Sequence, residues 1–181
     1  MASSVMPGDA PAAISMKLEL IVIPVSDVDR AKSFYSKLGW LCDIDHTADT
    51  GIRIVQFTPP GSDASVMLGQ NISTATPGSV QGLHVSVSDV ETARDDLIRR
   101  GIQVSELFHD DGGIFHRAGP EGHVGGPNPE HKSYASYASF SDPDGNTWVM
   151  QEITARLGAD LRPGDSRFTR QLVNAALGLP N

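Results

Sequence analysis

The chain has 181 residues, of which 39% are hydrophobic and 20% charged, a composition typical of a globular protein that buries one substantial core. Its formal net charge of -8 argues against a nucleic-acid partner, because affinity for phosphates comes from clustered Lys and Arg. No apolar run approaches the ~20 residues of a membrane-spanning helix, so no membrane partner is predicted. The single cysteine, Cys42, has no partner for a disulfide within the chain, which fits the cytoplasm.

The first segment of the chain, residues 1–16, has no basic start and no continuous apolar centre. This pattern predicts a disordered leader and not a secretory signal. A single domain is predicted over 17–153, and a helical extension over 154–181.

An internal repeat organises the predicted domain. The motif Val-Ser-Asp-Val at 25–28 recurs at 87–90. An alanine and then a glycine recur at the same spacing, as Ala31 and Ala93 and as Gly39 and Gly101. Such agreement at one constant spacing indicates two copies of one module.

Each copy has the pattern of a strand, a helix and three further strands. Apolar runs at 18–24 and 83–87 predict the first strands, and helical spacing of apolar residues follows each of them. The modules are assigned to 17–70 and 81–153, joined by a linker at 71–80. The further strands are predicted at 41–45, 52–58 and 64–69 in the first module and at 102–107, 134–141 and 146–152 in the second.

The extension contains a Pro-Gly break at 163–164 and then apolar residues at helical spacing from Phe168 to Ala176. Asp165 or Ser166 is the predicted N-cap. One appended helix is therefore expected near the end of the chain.

Two motifs carry a family resemblance. Residues 25–40 read VSDVxxAxxFYxxLGW, and residues 140–152 read FSDPDGNTWVMQE. This pair resembles the vicinal oxygen chelate superfamily of glyoxalases, bleomycin-resistance proteins and extradiol dioxygenases. The resemblance implies an α+β fold in which paired βαβββ modules form a cup from curved sheets. It also implies a homodimer, since many members are dimers.

Metal-using members of that superfamily take their ligands from the first and last strands of the modules. The corresponding positions here are Leu20, Met67, Gly82 and Val149. None of these side chains offers the oxygen, nitrogen or thiolate donors that a divalent ion needs. The prediction is therefore a site with no metal and no other cofactor.

Strand side chains alternate between a face under the helices and a face that lines the cup. In the first module the alternation assigns Leu20, Val22 and Met67 to the cup. In the second module it assigns His84, Ser86, Val149 and Gln151, and the resemblance adds Tyr137 and Ser139. An apolar wall opposite a few convergent polar groups is the usual composition of a small-molecule site, so all of these are predicted ligand-lining residues.

His84 and Tyr137 are the candidate catalytic residues, since imidazole and phenol can exchange protons with a ligand. The alternative is that both belong to a hydrogen-bonded structural cluster with Gln151 or Ser86. The long loop at 109–131 is rich in His, Asp, Glu and Gly, and it is interpreted as a lid that adds His116 to the ligand site.

These observations favour a protein that binds a small, partly apolar organic molecule without a metal, by sequestration or by acid–base catalysis. Whether it is an enzyme stays open; a metal-independent lyase or isomerase is favoured over a dioxygenase. The second hypothesis is a metal-dependent lyase, isomerase or dioxygenase with rearranged ligands from His84 and the 109–131 loop. The third is a non-catalytic dimerisation module.

Overall fold

The computed structural model of the protein describes residues 14–112 and 121–180. It confirms the predicted α+β class, with two open curved sheets and a short C-terminal helix. Most of the predicted leader, residues 1–13, lies outside the described residues. The elements in chain order are β1 (Leu20–Pro24), α1 (Val28–Lys37), β2 (Leu41–Thr47), β3 (Arg53–Thr58), β4 (Ser65–Gly69), β5 (Leu83–Val87), α2 (Val90–Arg99), β6 (Phe108–Asp110), β7 (His123–Gly125), β8 (Ser136–Ser141), β9 (Thr147–Glu152) and α3 (Arg170–Leu177).

The repeat is visible in the sheet topology. The first sheet has the order β1-β4-β3-β2, and the second has the order β5-β9-β8-β6-β7. In each sheet the first strand runs parallel to the last strand of its module, and the remaining neighbours are antiparallel. Each helix therefore lies in a crossover connection that starts from the first strand of its module.

The helix boundaries follow the repeated motif. The Asp27 carboxylate accepts a hydrogen bond from the Arg30 amide at 3.0 Å, and Asp89 caps α2 in the same way. Gly39 and Gly101 follow the two helices with φ of 79° and 80°. A residue with a side chain is strained at such an angle, which explains why a glycine recurs there.

One hydrophobic core contains residues from the helix-covered faces of both sheets. Trp148 on β9 lies edge-on to Trp40, with ring centroids 5.2 Å apart, and to Tyr35 of α1 at 6.3 Å. Phe34 lies 6.3 Å from Phe140 on β8. Because the modules share this core on the helix side, the cup-lining side chains of each sheet point away from it.

The DPDG turn joins the two modules. Asp142 accepts hydrogen bonds from the amides of Asp144 and Asn146, each at 2.9 Å. The Asn146 side chain in turn donates to the Pro24 carbonyl at 3.2 Å and accepts from the Val80 amide at 3.1 Å. These aspartates therefore form the turn, as expected from their sequence pattern.

Two local predictions are wrong. No strand spans 102–107, where Val104 forms only an isolated bridge to Phe140. The Ser105 amide donates to the Ser139 carbonyl at 2.8 Å, but the Ser139 amide donates to the Ser105 hydroxyl at 2.9 Å and not to a backbone carbonyl, and β6 begins later. The N-cap of α3 is Thr169 and neither Asp165 nor Ser166, and the Asp165 carboxylate pairs with Arg167. Among the described residues, no helix is long and apolar enough to cross a membrane.

Candidate functional site

The second sheet brings the predicted polar side chains together in two rows. Ser86 on β5, Gln151 on β9 and Tyr137 on β8 are direct neighbours across the strands. In the adjacent row, His84 on β5, Val149 on β9 and Ser139 on β8 are also direct neighbours across the strands. Since the two rows are two residues apart along each strand, all six side chains lie on the cup face.

A hydrogen-bond network centres on Gln151. Its amide oxygen lies 3.3 Å from Nδ1 of His84, and its amide nitrogen donates to the Tyr134 carbonyl at 3.2 Å. The Tyr137 hydroxyl donates to the same carbonyl at 2.6 Å. The side chain of His84 is exposed, whereas Gln151 is buried beneath it.

The Tyr137 side chain is too deeply buried to contact a ligand directly. It is 1% exposed and stacks on Phe108, with ring centroids 5.4 Å apart, and Phe108 stacks on His123 at 4.1 Å. Burial raises the pKa of Tyr137 to about 12. The structure thus favours the structural alternative for its hydroxyl, and its catalytic role stays a prediction.

An open groove of about 660 Å³ reaches the exposed side of this network. Its polar lining includes His84, Ser86 and Arg156, and Nη2 of Arg156 donates to Oγ of Ser86 at 3.4 Å. Its apolar lining includes Leu18 and the Pro-Pro pair at 59–60 of the first module, and Val85 of β5. In this groove, described residues of both modules surround His84.

The sequence did not single out Arg156, because this residue lies after the family motifs. The only pattern recognised in its segment was the helical spacing of apolar residues. Within 14–112 and 121–180 Arg156 forms no ion pair, and its guanidinium shares the groove with the exposed pair of Lys17 and Asp63. A guanidinium in this position can hold a ligand carboxylate or phenolate.

The apolar side chains predicted for the cup lie on the first sheet. Val22 and Met67 are direct neighbours on β1 and β4, Leu20 precedes them on the same face, and all three are partly exposed. The two sheets are separate, and on the cup side of the second sheet Phe108, Tyr137 and Val149 pack together. A single chain therefore presents two open half-cups.

The remaining prediction, His116, lies outside the described residues. Part of the 109–131 loop forms the hairpin of β6 and β7, in which Nδ1 of His109 lies 2.9 Å from the Gly126 carbonyl. Across the described parts of the chain, no group of three or more His, Cys, Asp or Glu side chains is arranged to hold a metal. The four positions that correspond to family ligands carry apolar residues or glycine and do not fit a metal.

Comparison with known proteins identifies one family. The sequence model of the Glyoxalase/Bleomycin resistance protein/Dioxygenase superfamily matches residues 17–150. No curated protein matches the chain.

Solved structures similar to the chain include the following three. TnmS3, an antibiotic binding protein from Streptomyces sp. CB03234, is 33% identical, with 77% of this chain and 96% of that chain covered and a TM-score of 0.55. A glyoxalase/bleomycin resistance protein from the same organism is 32% identical, with 75% and 99% covered and a TM-score of 0.54. A superfamily member from Sphaerobacter thermophilus DSM 20745 is 25% identical, with 76% and 97% covered and a TM-score of 0.53.

Proposed function

Because the chain belongs to the Glyoxalase/Bleomycin resistance protein/Dioxygenase superfamily, we propose that it binds a small, partly apolar organic molecule without the family's usual metal. The observation that carries this proposal is the groove in which His84, Ser86 and Arg156 lie opposite apolar side chains of the first module. A few polar groups on an apolar wall orient a ligand and provide its specificity.

The role of the bound molecule is either sequestration or acid–base chemistry at His84. The likeness to an antibiotic binding protein supports sequestration. The exposed imidazole, hydrogen-bonded at Nδ1, supports catalysis, and in that case the chemistry is that of a metal-independent lyase or isomerase. The exposed thiol of Cys42 supports a location in the cytoplasm, where it stays reduced.

A second copy of the chain is proposed to complete the site. Each chain has an apolar half-cup, formed by Leu20, Val22 and Met67 on β1 and β4, and a polar half-cup around Gln151. A two-fold axis that brings the apolar half-cup of one copy over the polar half-cup of the other closes two equivalent sites at once. The dimer thus provides the enclosure that the single chain lacks.

Binding and turnover at His84 test the proposal. Protein purified without a chelator or affinity tag is examined by native mass spectrometry for a bound compound, and 2-naphthol serves as a fluorescent probe of the groove. We expect His84→Ala to weaken naphthol binding about 10-fold in a sequestering protein. In a catalyst it lowers turnover of the bound compound by about 10²-fold or more.

The control is Ile98→Ala, which shortens an exposed side chain on α2, away from the cup faces. Unchanged affinity and turnover in His84→Ala would remove this residue from the site. A stoichiometric divalent metal that His84→Ala loses would replace this proposal by the metal-dependent hypothesis.

A further inference from the structure

The backbone carbonyl of Tyr134 accepts two hydrogen bonds within the polar network. It receives hydrogen bonds from the Tyr137 hydroxyl at 2.6 Å and from Nε2 of Gln151 at 3.2 Å. A carbonyl oxygen has two lone pairs and cannot donate, so both partners must be donors. The amide nitrogen of Gln151 therefore has to face Tyr134.

This orientation of the amide has a consequence for His84. With its nitrogen toward Tyr134, Gln151 presents its oxygen to Nδ1 of His84 at 3.3 Å. An amide oxygen only accepts, so Nδ1 has to carry the proton. A neutral imidazole with a proton on Nδ1 has an acceptor at Nε2.

We propose that Tyr134 and Gln151 form a relay that holds His84 in its Nδ1–H tautomer, so that the site recognises ligands through a hydrogen-bond donor such as a phenol or enol hydroxyl. This inference rests on the proposed function for the ligand and on the hydrogen-bond geometry alone for the tautomer. The ligand hydroxyl donates to Nε2 of His84, and the Arg156 guanidinium in the same groove stabilises the negative charge that grows on its oxygen.

The C-terminal extension positions this relay. Tyr134 has φ of 68°, a conformation that a non-glycine residue keeps only when its surroundings enforce it. The neighbouring Ser133 is 0% exposed; its amide donates to the Arg167 carbonyl at 3.0 Å, and its hydroxyl donates to the Ala155 carbonyl at 2.7 Å. The Tyr134 ring also packs on Phe168, with centroids 6.2 Å apart.

The tautomer can be read without a ligand from the ¹⁵N chemical shifts of His84 at an alkaline pH, where imidazole is neutral. We expect protonated Nδ1 in the wild-type protein. Gln151→Met removes the acceptor, and we expect the Nε2–H form that predominates in free histidine. An Nε2–H form in the wild type, or no change in Gln151→Met, would overturn the relay.

The contribution of the extension is tested with a matched pair. Phe168→Ala loosens the packing on Tyr134 and is expected to give a mixture of tautomers, whereas Leu177→Ala, at an exposed position of α3, keeps the Nδ1–H form. An unchanged tautomer in a folded Phe168→Ala variant would show that the extension does not control the tautomer of His84. Far-ultraviolet circular dichroism and the remaining amide spectrum establish that each variant is folded.

The ligand class is tested with 2-naphthol and 2-methoxynaphthalene, which differ in their capacity to donate. We expect naphthol to bind about 10-fold more tightly to the wild type, and Gln151→Met to abolish this preference. Equal affinities would contradict the proposed recognition of hydrogen-bond donors but would not contradict the proposed function. If neither compound binds while the tautomer is Nδ1–H, the proposed function fails for this class of compound and the relay stands.

Discussion

Gln151 connects His84, Tyr137 and the Tyr134 carbonyl because of its place in the sheet. Its strand, β9, lies between β5 and β8, so its side chain reaches both neighbours. The alternation of strand side chains predicted that Gln151 and His84 share a face, and the family resemblance placed Tyr137 on the same face. The sequence offered no signal for the fourth member, the Tyr134 carbonyl, because a backbone group carries no residue-type signature.

The buried hydroxyl of Tyr137 gives a prediction on pH. Burial raises the pKa of Tyr137 to about 12, against an ordinary value of 10.0 in the unfolded chain. Between these values the unfolded state has lost the proton and the folded state has not, so stability is fully present below about pH 10 and falls as the pH rises to about 12.

Urea denaturation at several pH values between about 9 and 12 measures this effect. In Tyr137→Phe the free energy of unfolding should fall less steeply with pH over the same window, because one titrating group is missing. The variant should also be less stable by about 1 kcal/mol at neutral pH, where it lacks the hydrogen bond to Tyr134. Equal slopes in the two proteins would contradict the assignment.

At the scale of elements, α3 and the segment before it form a small hydrophobic cluster of their own. Leu161, Phe168, Leu172 and Val173 are buried in it, and Tyr134 packs against them. The solved relatives are covered over 96% to 99% of their length but match only 75% to 77% of this chain. The described extension forms a packed layer against Tyr134.

Leu172→Ala tests how strongly this layer is attached. The residue is 2% exposed, so the substitution should lower the free energy of unfolding by about 2–4 kcal/mol through lost burial and the cavity that it leaves. Leu177→Ala, 36% exposed on the same helix, is the matched control and should cost less than about 1 kcal/mol. Amide hydrogen exchange distinguishes local opening of α3 from global unfolding. Equal effects of both substitutions would mean that α3 is not docked.

At the scale of the whole molecule, a buried tyrosine links the two modules. The Tyr35 hydroxyl accepts from Nε1 of Trp148 at 3.1 Å and donates to the Asp142 carboxylate at 3.2 Å. Burial, followed by the Asp142 charge, raises the pKa of Tyr35 well above its usual range. The bridge therefore operates with a neutral hydroxyl.

Tyr35→Phe should cost about 1–3 kcal/mol in the free energy of unfolding, because it leaves the Trp148 donor without this acceptor in the core. The matched control is Tyr134→Phe, whose hydroxyl accepts a longer bond of 3.4 Å from the Leu157 amide and is partly exposed. It should cost less than about 1 kcal/mol. Urea denaturation compares the two variants. An equal loss in the free energy of unfolding would show that the Tyr35 bridge between the modules does not contribute to stability.

The proposed dimer predicts a change of assembly when a charge is introduced into the apolar half-cup. Val22→Asp should shift the sedimentation coefficient from that of a dimer to that of a monomer, because a carboxylate would be buried without a partner in the interface. Ile98→Asp is the control, since this residue is 43% exposed on α2, away from the cup faces. A wild-type monomer, or a Val22→Asp dimer, would contradict the proposed assembly.

The sequence by itself determined the features that arise from local periodicity. The repeated motif located both helices and their terminal glycines, and the period of two assigned His84, Ser86 and Gln151 to one face. These patterns are local because each depends on backbone geometry within a few residues.

Only the tertiary structure decided which of these residues meet. Arg156 reaches Ser86, and residues 155–168 hold Tyr134, through contacts between segments far apart in the chain. The cup face of each sheet points away from the shared core, so the apolar residues on β1 and β4 and the polar residues on β5, β8 and β9 belong to two separate sheets. Such contacts depend on how whole elements pack, and this information is absent from the spacing of residues within any one of them.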